Sequence, residues 1–147
     1  GLVGFRSHKN MWDLDASRID YPQAAAKFEF STMAFGCAVG LTKSISFLNN
    51  VGIENIFQYN RQLADRLIEG LQTSGAVITS PLEDKSRSSI VRAHFENIGS
   101  NKIIQSLKRA GVFVSRRGDS IRFSPHLYNS MSDIDKALAE IDNILVQ

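Results

Sequence analysis

The chain has 147 residues, of which 43% are apolar and 22% charged, with a net charge of +2 and a single cysteine, Cys37. This is the composition of a globular domain; it excludes a collagen, a disordered tail and a polybasic arm, and so small a charge argues against holding nucleic acid electrostatically. No window approaches the roughly 20 apolar residues of a spanning helix, one cysteine makes no internal disulfide, and no secretion signal opens the chain, so a cytoplasmic setting is expected.

Residues 1 to 30 keep no sustained period. Trp12, Tyr21, Phe28 and Phe30 are scattered among Asp13, Asp15, Arg18 and Asp20, with Pro22 as a breaker. They read as an irregular, partly extended lead-in that rests on a surface outside this chain. From Phe35 the pattern becomes helical, with Ala38, Leu41, Ile45 and Leu48 three or four apart, and it should stop at Asn49-Asn50. Within it Gly36 and Gly40 look like close-packing positions, and Cys37 reads as a small buried hydrophobe. A second helix follows Gly52, its apolar stripe formed by Ile53, Ile56, Phe57, Leu63, Leu67, Ile68 and Leu71, and Gly75 sits where a left-handed cap is favoured.

Two strand candidates come next, Ala76 to Thr79 and Ser89 to Phe95, forming a hairpin or a strand pair around the loop Pro81 to Lys85. Ser100 is placed to cap a third helix with Ile103, Ile104 and Leu107 inward, closed by Gly111. Val112 to Val114 and Ile121 to Phe123 read as strands around the turn Arg117-Gly118-Asp119. The last helix has the strongest start signal, Ser130 and Asp133 at capping-box spacing, followed by Ile134, Leu138, Ile141 and Leu145. The order predicts an α+β fold, a small and mostly antiparallel sheet with helices packed on one face.

Several usual sources of chemistry are missing from the sequence. His8, His94 and His126 lie far apart, with no metal-ligand spacing. Neither a glycine-rich phosphate loop nor a Gly-x-Ser-x-Gly elbow is found. What remains is the run Ser115-Arg116-Arg117-Gly118-Asp119-Ser120-Ile121-Arg122-Phe123-Ser124-Pro125-His126-Leu127-Tyr128-Asn129. With Ile134-Asp135 after it, this run resembles the C-terminal signature of the class V aminotransferases, pyridoxal-phosphate enzymes of fold type I that include cysteine desulfurases and epimerase-like members. The matching positions are Arg122, Ser124, Tyr128-Asn129 and Ile134-Asp135. Phe28-Glu29-Phe30-Ser31-Thr32 is similar to the family's Phe-Glu-x-Gly-Thr, and Gly40-Leu41 and Gly52 to Ile56 fit the helices that follow it. Ser31 departs from the family's common glycine and Met33 from its common proline.

The resemblance implies roles. Arg122 would grip the substrate's carboxylate with its planar fork. Thr32, with Ser31 beside it, would reach the phosphate of pyridoxal 5'-phosphate in the neighbouring subunit of a homodimer. The lysine that carries the cofactor as a Schiff base, and the aspartate facing the pyridine nitrogen, belong in this family to a large domain upstream, and none of the chain's lysines stands in that motif. The expectation is therefore a C-terminal α+β domain, residues 35–147, behind a remnant of the large domain, residues 1–34. It would contribute to an enzyme acting on an amino acid while holding no catalytic residue of its own, binding no cofactor and showing no activity alone, and touching neither nucleic acid nor membrane. Between Ser115 and Ser120 there is no cysteine, which disfavours desulfurase chemistry through a thiolate there.

Blander readings stand beside these. Arg122 is also readable as one half of a structural ion pair, and Thr32 as the N-cap of the Phe35 helix, a role compatible with phosphate binding. His126 suits a packed or surface imidazole better than a catalytic one. Tyr128-Asn129 is suited to ordering the turn into the last helix. Two rival functions remain open: a stand-alone interaction domain, and a small RNA-binding module using Arg87, Arg92, Arg116 and Arg117. The second needs exposed stacking aromatics, whereas Phe95, Phe113 and Phe123 look like core.

Overall fold

A computed structural model describes residues 4–12, 17 and 20–146. Asp13, Asp15 and Arg18 of the lead-in, like residues 1–3, lie outside the described residues. The chain divides into two compact units, Gly1–Phe47 and Leu48–Gln147. Helix α1, Phe35–Val51, runs through the boundary.

The second unit contains α2 (Ile53–Thr73), β1 (Val77–Ile78), β2 (Val91–His94), α3 (Ser100–Arg109), β3 (Ser115–Arg117), β4 (Ser120–Phe123) and α4 (Met131–Leu145). Its four strands form one sheet in the order β1-β2-β4-β3, every neighbouring pair antiparallel. Helices α2 and α3 pack against the strands, and α4 packs against both α2 and α3. The core lies in that layer: Leu63, Leu67 and Leu71 of α2, Val91 and Ala93 of β2, Ile103 and Leu107 of α3, Ile121 and Phe123 of β4, and Leu138 and Ile141 of α4 are all buried. Each such large aliphatic side chain contributes roughly 1.5–3 kcal/mol over an exposed one. This is the α+β arrangement expected from the pattern.

Local chemistry sets the ends of the helices. Gly75 has φ of +83° and Gly111 of +79°. At each, the glycine N–H bonds back to the carbonyl of Gln72 or Lys108, and the next residue's N–H to that of Leu71 or Leu107. These paired bonds are Schellman caps, which need the left-handed conformation that glycine adopts without strain. At the start of α4 the capping box forms as expected: Ser130 Oγ accepts from Asp133 N–H, and the Asp133 carboxylate accepts from Ser130 N–H at 2.8 Å.

Four local expectations are corrected. Ser100 is the first residue of α3 and buried, while Gly99 occupies the N-cap and no side-chain cap bond forms. The strand expected at Val112 to Val114 begins at Ser115. The two-residue connection Gly118-Asp119 pins Arg117 opposite Ser120, so pairing is counted back from the turn. Phe113 is consequently off the sheet and 79% exposed, not core. Ile53 and Phe57 share the α2 stripe but are exposed, because periodicity identifies a face and says nothing about how far neighbouring elements extend along it.

Helix α1 extends slightly past the expected stop, to Val51, and none of its residues is buried. Cys37 is exposed, contrary to its reading as a buried hydrophobe, and a Cβ added to Gly36 or Gly40 would meet nothing within 4 Å. Those readings rested on apolar neighbours in sequence, which do not supply the surface that burial requires.

The described part of the lead-in is more ordered than its aperiodic sequence suggests. It holds two 3₁₀ turns, Phe5–Ser7 and Ala25–Phe28. Ser7 is fully buried, and its hydroxyl accepts from Gly4 N–H and donates to the Glu29 carbonyl at 3.0 Å. Arg6 pairs with the Glu29 carboxylate at 2.8 Å, and Lys9 with Asp20 at 2.9 Å. The backbones approach closely here, since a Cβ on Gly4 would stand 1.8 Å from the Phe30 carbonyl oxygen. Among the described residues no helix is long and apolar enough to cross a membrane.

Candidate functional site

Two places carry the residues singled out by sequence, one in each unit. In the second unit the alternation of β4 sends Ile121 and Phe123 into the core and leaves Arg122, between them, on the other face of the sheet. Arg122 is half-buried. It lies opposite Ser115 of β3 on one side and opposite Arg92 of β2 on the other. One Nη of Arg122 reaches Ser115 Oγ at a long 3.5 Å, while its Nε is buried with no hydrogen-bond partner.

Among the described residues Arg122 enters no ion pair. The ion-pair reading therefore finds no carboxylate partner among the described residues. A buried guanidinium nitrogen without an acceptor is costly, and the planar fork of a guanidinium can donate two parallel hydrogen bonds to an oxyanion.

Downstream of β4 the chain turns into α4 through Ser124 to Ser130. Asn129 orders this turn as its sequence suggested: its side-chain carbonyl accepts from His126 N–H at 3.1 Å, and its own N–H donates to the His126 carbonyl at 2.8 Å. The His126 ring is half-buried and stacked with Tyr128, centroids 5.5 Å apart. Tyr59 of α2 adds a bond that the sequence reading missed, from its hydroxyl to the Asn129 carbonyl. A tyrosine within a helical stripe gives no sign of which distant carbonyl it will meet.

In the first unit Ser31 and Thr32 border a cleft of about 450 Å³ whose lining also includes Arg6, Glu29, Phe30 and Met33. Thr32 is not the N-cap of α1: the helix begins at Phe35, and the first helical bond is accepted by Ala34. The Thr32 side chain is exposed and, among the described residues, makes no hydrogen bond. Arg6 supplies a cation at the same cleft, held by Glu29, and was not foreseen because it stands alone in an aperiodic stretch. Two hydroxyls and a guanidinium are a donor set that suits a phosphate group. The Glu29 carboxylate opposes an anion there only in so far as Arg6 does not neutralise it.

The RNA-binding reading loses its aromatic platform. Phe95 and Phe123 are buried, 9% and 4% exposed, and Arg87 is ion-paired with Asp65. Among the described residues no exposed aromatic lies on a strand.

Comparison with known proteins gives this arrangement a family. The chain is 33% identical over 116 residues to an uncharacterized aminotransferase of Schizosaccharomyces pombe, an alignment covering 79% of this chain and 29% of that protein. It superposes on the apo structure of a cysteine desulfurase from Thermococcus onnurineus with a TM-score of 0.80 and 18% identity, covering 99% of this chain and 39% of that one. A structure of C-DES with glycine covalently linked to its PLP cofactor aligns with a TM-score of 0.74 and 20% identity, over 97% of this chain and 37% of that one. This chain thus spans about three tenths of the length of the curated relatives it matches. The sequence profile of the class-V aminotransferases matches residues 9–137, and the chain belongs to that family.

Proposed function

We propose that the chain serves a pyridoxal-phosphate enzyme acting on an amino acid, and that Arg122 binds the substrate's α-carboxylate. The supporting observation is the state of Arg122, half-buried on a strand, its Nε without a partner and no acid paired with it among the described residues. Gripping the carboxylate through two parallel bonds fixes the amino acid's rotation, so that the bond to be broken at Cα stands perpendicular to the cofactor ring. When bound, the cofactor supplies an electron sink for charge developing at Cα.

Ser31 and Thr32, with Arg6, are the residues of this chain whose donors fit the cofactor's phosphate, in a homodimer that of the neighbouring subunit. In this reading residues 35–147 form the C-terminal domain and residues 1–34 belong with a large domain that supplies the lysine, so the chain alone is inactive. The absence of cysteine between Ser115 and Ser120 favours chemistry other than sulfur transfer through that hairpin.

The test uses the full-length enzyme and a panel of amino acids. Arg122→Ala is expected to lower kcat/KM by about 2–4 kcal/mol, the scale for removing one partner of a desolvated charge pair. At 1.36 kcal/mol per factor of ten this is roughly 30- to 1,000-fold. Arg122→Lys, which keeps charge and loses the fork, should recover part of it. Unchanged kinetics in Arg122→Ala would remove the reading.

A further inference from the structure

Arg122 is not the only arginine on its face of the sheet. The β2–β4 register sets Arg92 directly opposite it. Arg92 lies between Val91 and Ala93, both buried in the core, so its side chain projects to the same face as Arg122. Like charges directly opposite each other across an antiparallel pair are destabilising. Natural sheets relieve such a pair with a nearby acid, yet among the described residues Arg92, like Arg122, enters no ion pair. The third residue of the row, Ser115, adds a hydroxyl and no negative charge. The other arginines in or beside the sheet are engaged within the chain: Arg61 with Asp84, Arg87 with Asp65, Arg116 with the Gly118 carbonyl and the Asp119 carboxylate, and Arg117 of β3 with the Arg116 carbonyl.

We infer that Arg92 is a second anion-recognising residue beside Arg122, and that the substrate class is an amino acid with a second acidic group on its side chain. The inference rests on the reading of Arg122 as the α-carboxylate residue. One carboxylate on Arg122 leaves the charge on Arg92 uncompensated, whereas a short diacid places an anion on each fork. Opposed residues in an antiparallel pair have Cα atoms about 4.5–5.5 Å apart, a spacing that two carboxylates of one small molecule bridge through side chains of equal length. A neutral amide in place of the second carboxylate has the same shape but half the charge, so L-aspartate against L-asparagine isolates the effect.

The experiment compares kcat/KM for these two amino acids in the full-length enzyme and its Arg92→Gln, Arg92→Lys and Arg122→Gln variants. Wild type should prefer L-aspartate, and Arg92→Gln should lower the aspartate-to-asparagine ratio by about 10- to 100-fold, the scale of one hydrogen-bonded charge. Arg92→Lys should restore part of the ratio. A second readout needs no turnover: the Nε–H NMR signals of the 147-residue chain titrated with succinate and with acetate. Succinate should bind more tightly than acetate and shift the signals of both Arg92 and Arg122, with the advantage lost in Arg92→Gln. A ratio unmoved by Arg92→Gln, a wild type without preference for the diacid, or equal affinity for succinate and acetate each overturns the inference and marks Arg92 as a solvated surface cation. If instead Arg122→Gln leaves turnover of both amino acids unchanged, it is the carboxylate reading of Arg122 that fails.

Discussion

The phenolic hydroxyl of Tyr59 donates a 2.8 Å hydrogen bond to the backbone carbonyl of Asn129, 70 residues along the chain. The bond joins α2 to the turn that carries the chain from β4 into α4, the same turn Asn129 closes on His126. A salt bridge of 2.9 Å between Arg66 and Asp135 repeats the connection further along the two helices. The strand bearing Arg122 is thereby followed by a connection with little freedom.

Tyr59→Phe tests the contribution of that hydroxyl. The ring remains and only the hydrogen bond is lost, so a decrease in unfolding free energy of about 1 kcal/mol is expected. Urea denaturation measures it. The midpoint should fall while the slope with denaturant stays constant, since the surface exposed on unfolding is unchanged.

Gly70 lies on the face of α2 turned to α4. A Cβ built on it stands 2.2 Å from Leu138 Cδ1 and 2.9 Å from Leu138 Cγ, and Leu138 is buried. Mid-helix, alanine is favoured over glycine by about 1 kcal/mol, but forcing Leu138 aside costs roughly 1–3 kcal/mol. Gly70→Ala should therefore be neutral to destabilising where an exposed helical glycine would gain. Combined with Leu138→Ala, the same substitution should become favourable, a non-additivity that a double-mutant cycle by thermal unfolding detects.

The Asp133 carboxyl titrates below the usual carboxylate range, chiefly because it accepts from the Ser130 backbone N–H, with further help from the Ser130 hydroxyl, Asn129 and Lys136. A carboxyl depressed in the folded state favours folding at pH values above its unfolded pKa of about 3.9. That contribution fades as the pH falls through the folded value. The melting temperature of wild type should thus exceed that of Asp133→Ala at pH 5 to 6, and the gap should narrow progressively below pH 4. Ser130→Ala, which removes the other half of the box, should cost about 1 kcal/mol at neutral pH. A pH-independent gap would show that the carboxylate charge plays no part.

Features with a short-range physical cause were legible in the sequence. Gly75 and Gly111 marked helix ends because a left-handed cap excludes almost any side chain, and Ser130 and Asp133 marked a helix start because two orphan N–H groups need acceptors. The α+β order followed from alternating periods. What depends on a partner surface was hidden: Cys37, Gly36 and Gly40 sit in an apolar helical pattern yet face open space, and Ile53 and Phe57 lie on a buried stripe at a point where it is no longer covered. The sheet register was hidden as well, since the turn at Gly118-Asp119 moved β3 past Phe113. For the candidate site, family motifs in the sequence single out Arg122, Ser31 and Thr32, whose proposed roles rest on experimental test. Arg6 was not legible, because the contacts that bring it to Glu29 and the cleft depend on two 3₁₀ turns with no periodic signal.

The cleft at Ser31 and Thr32 carries the last prediction. If the Thr32 hydroxyl binds the cofactor's phosphate, Thr32→Ala in the full-length enzyme should weaken pyridoxal 5'-phosphate binding by about 10-fold or more, as expected for one hydrogen bond to a charged group. Thr32→Ser keeps the hydroxyl and should bind nearly as wild type. Arg6→Gln removes the cation, and its loss should be larger at low salt than at high salt, because Arg6 is partly exposed and screening weakens its attraction for the phosphate. Equilibrium dialysis or fluorescence of the bound cofactor reads these affinities independently of turnover. An affinity insensitive to Thr32→Ala and to Arg6→Gln would leave the cleft without a part in cofactor binding, while leaving the assignment of Arg122 intact.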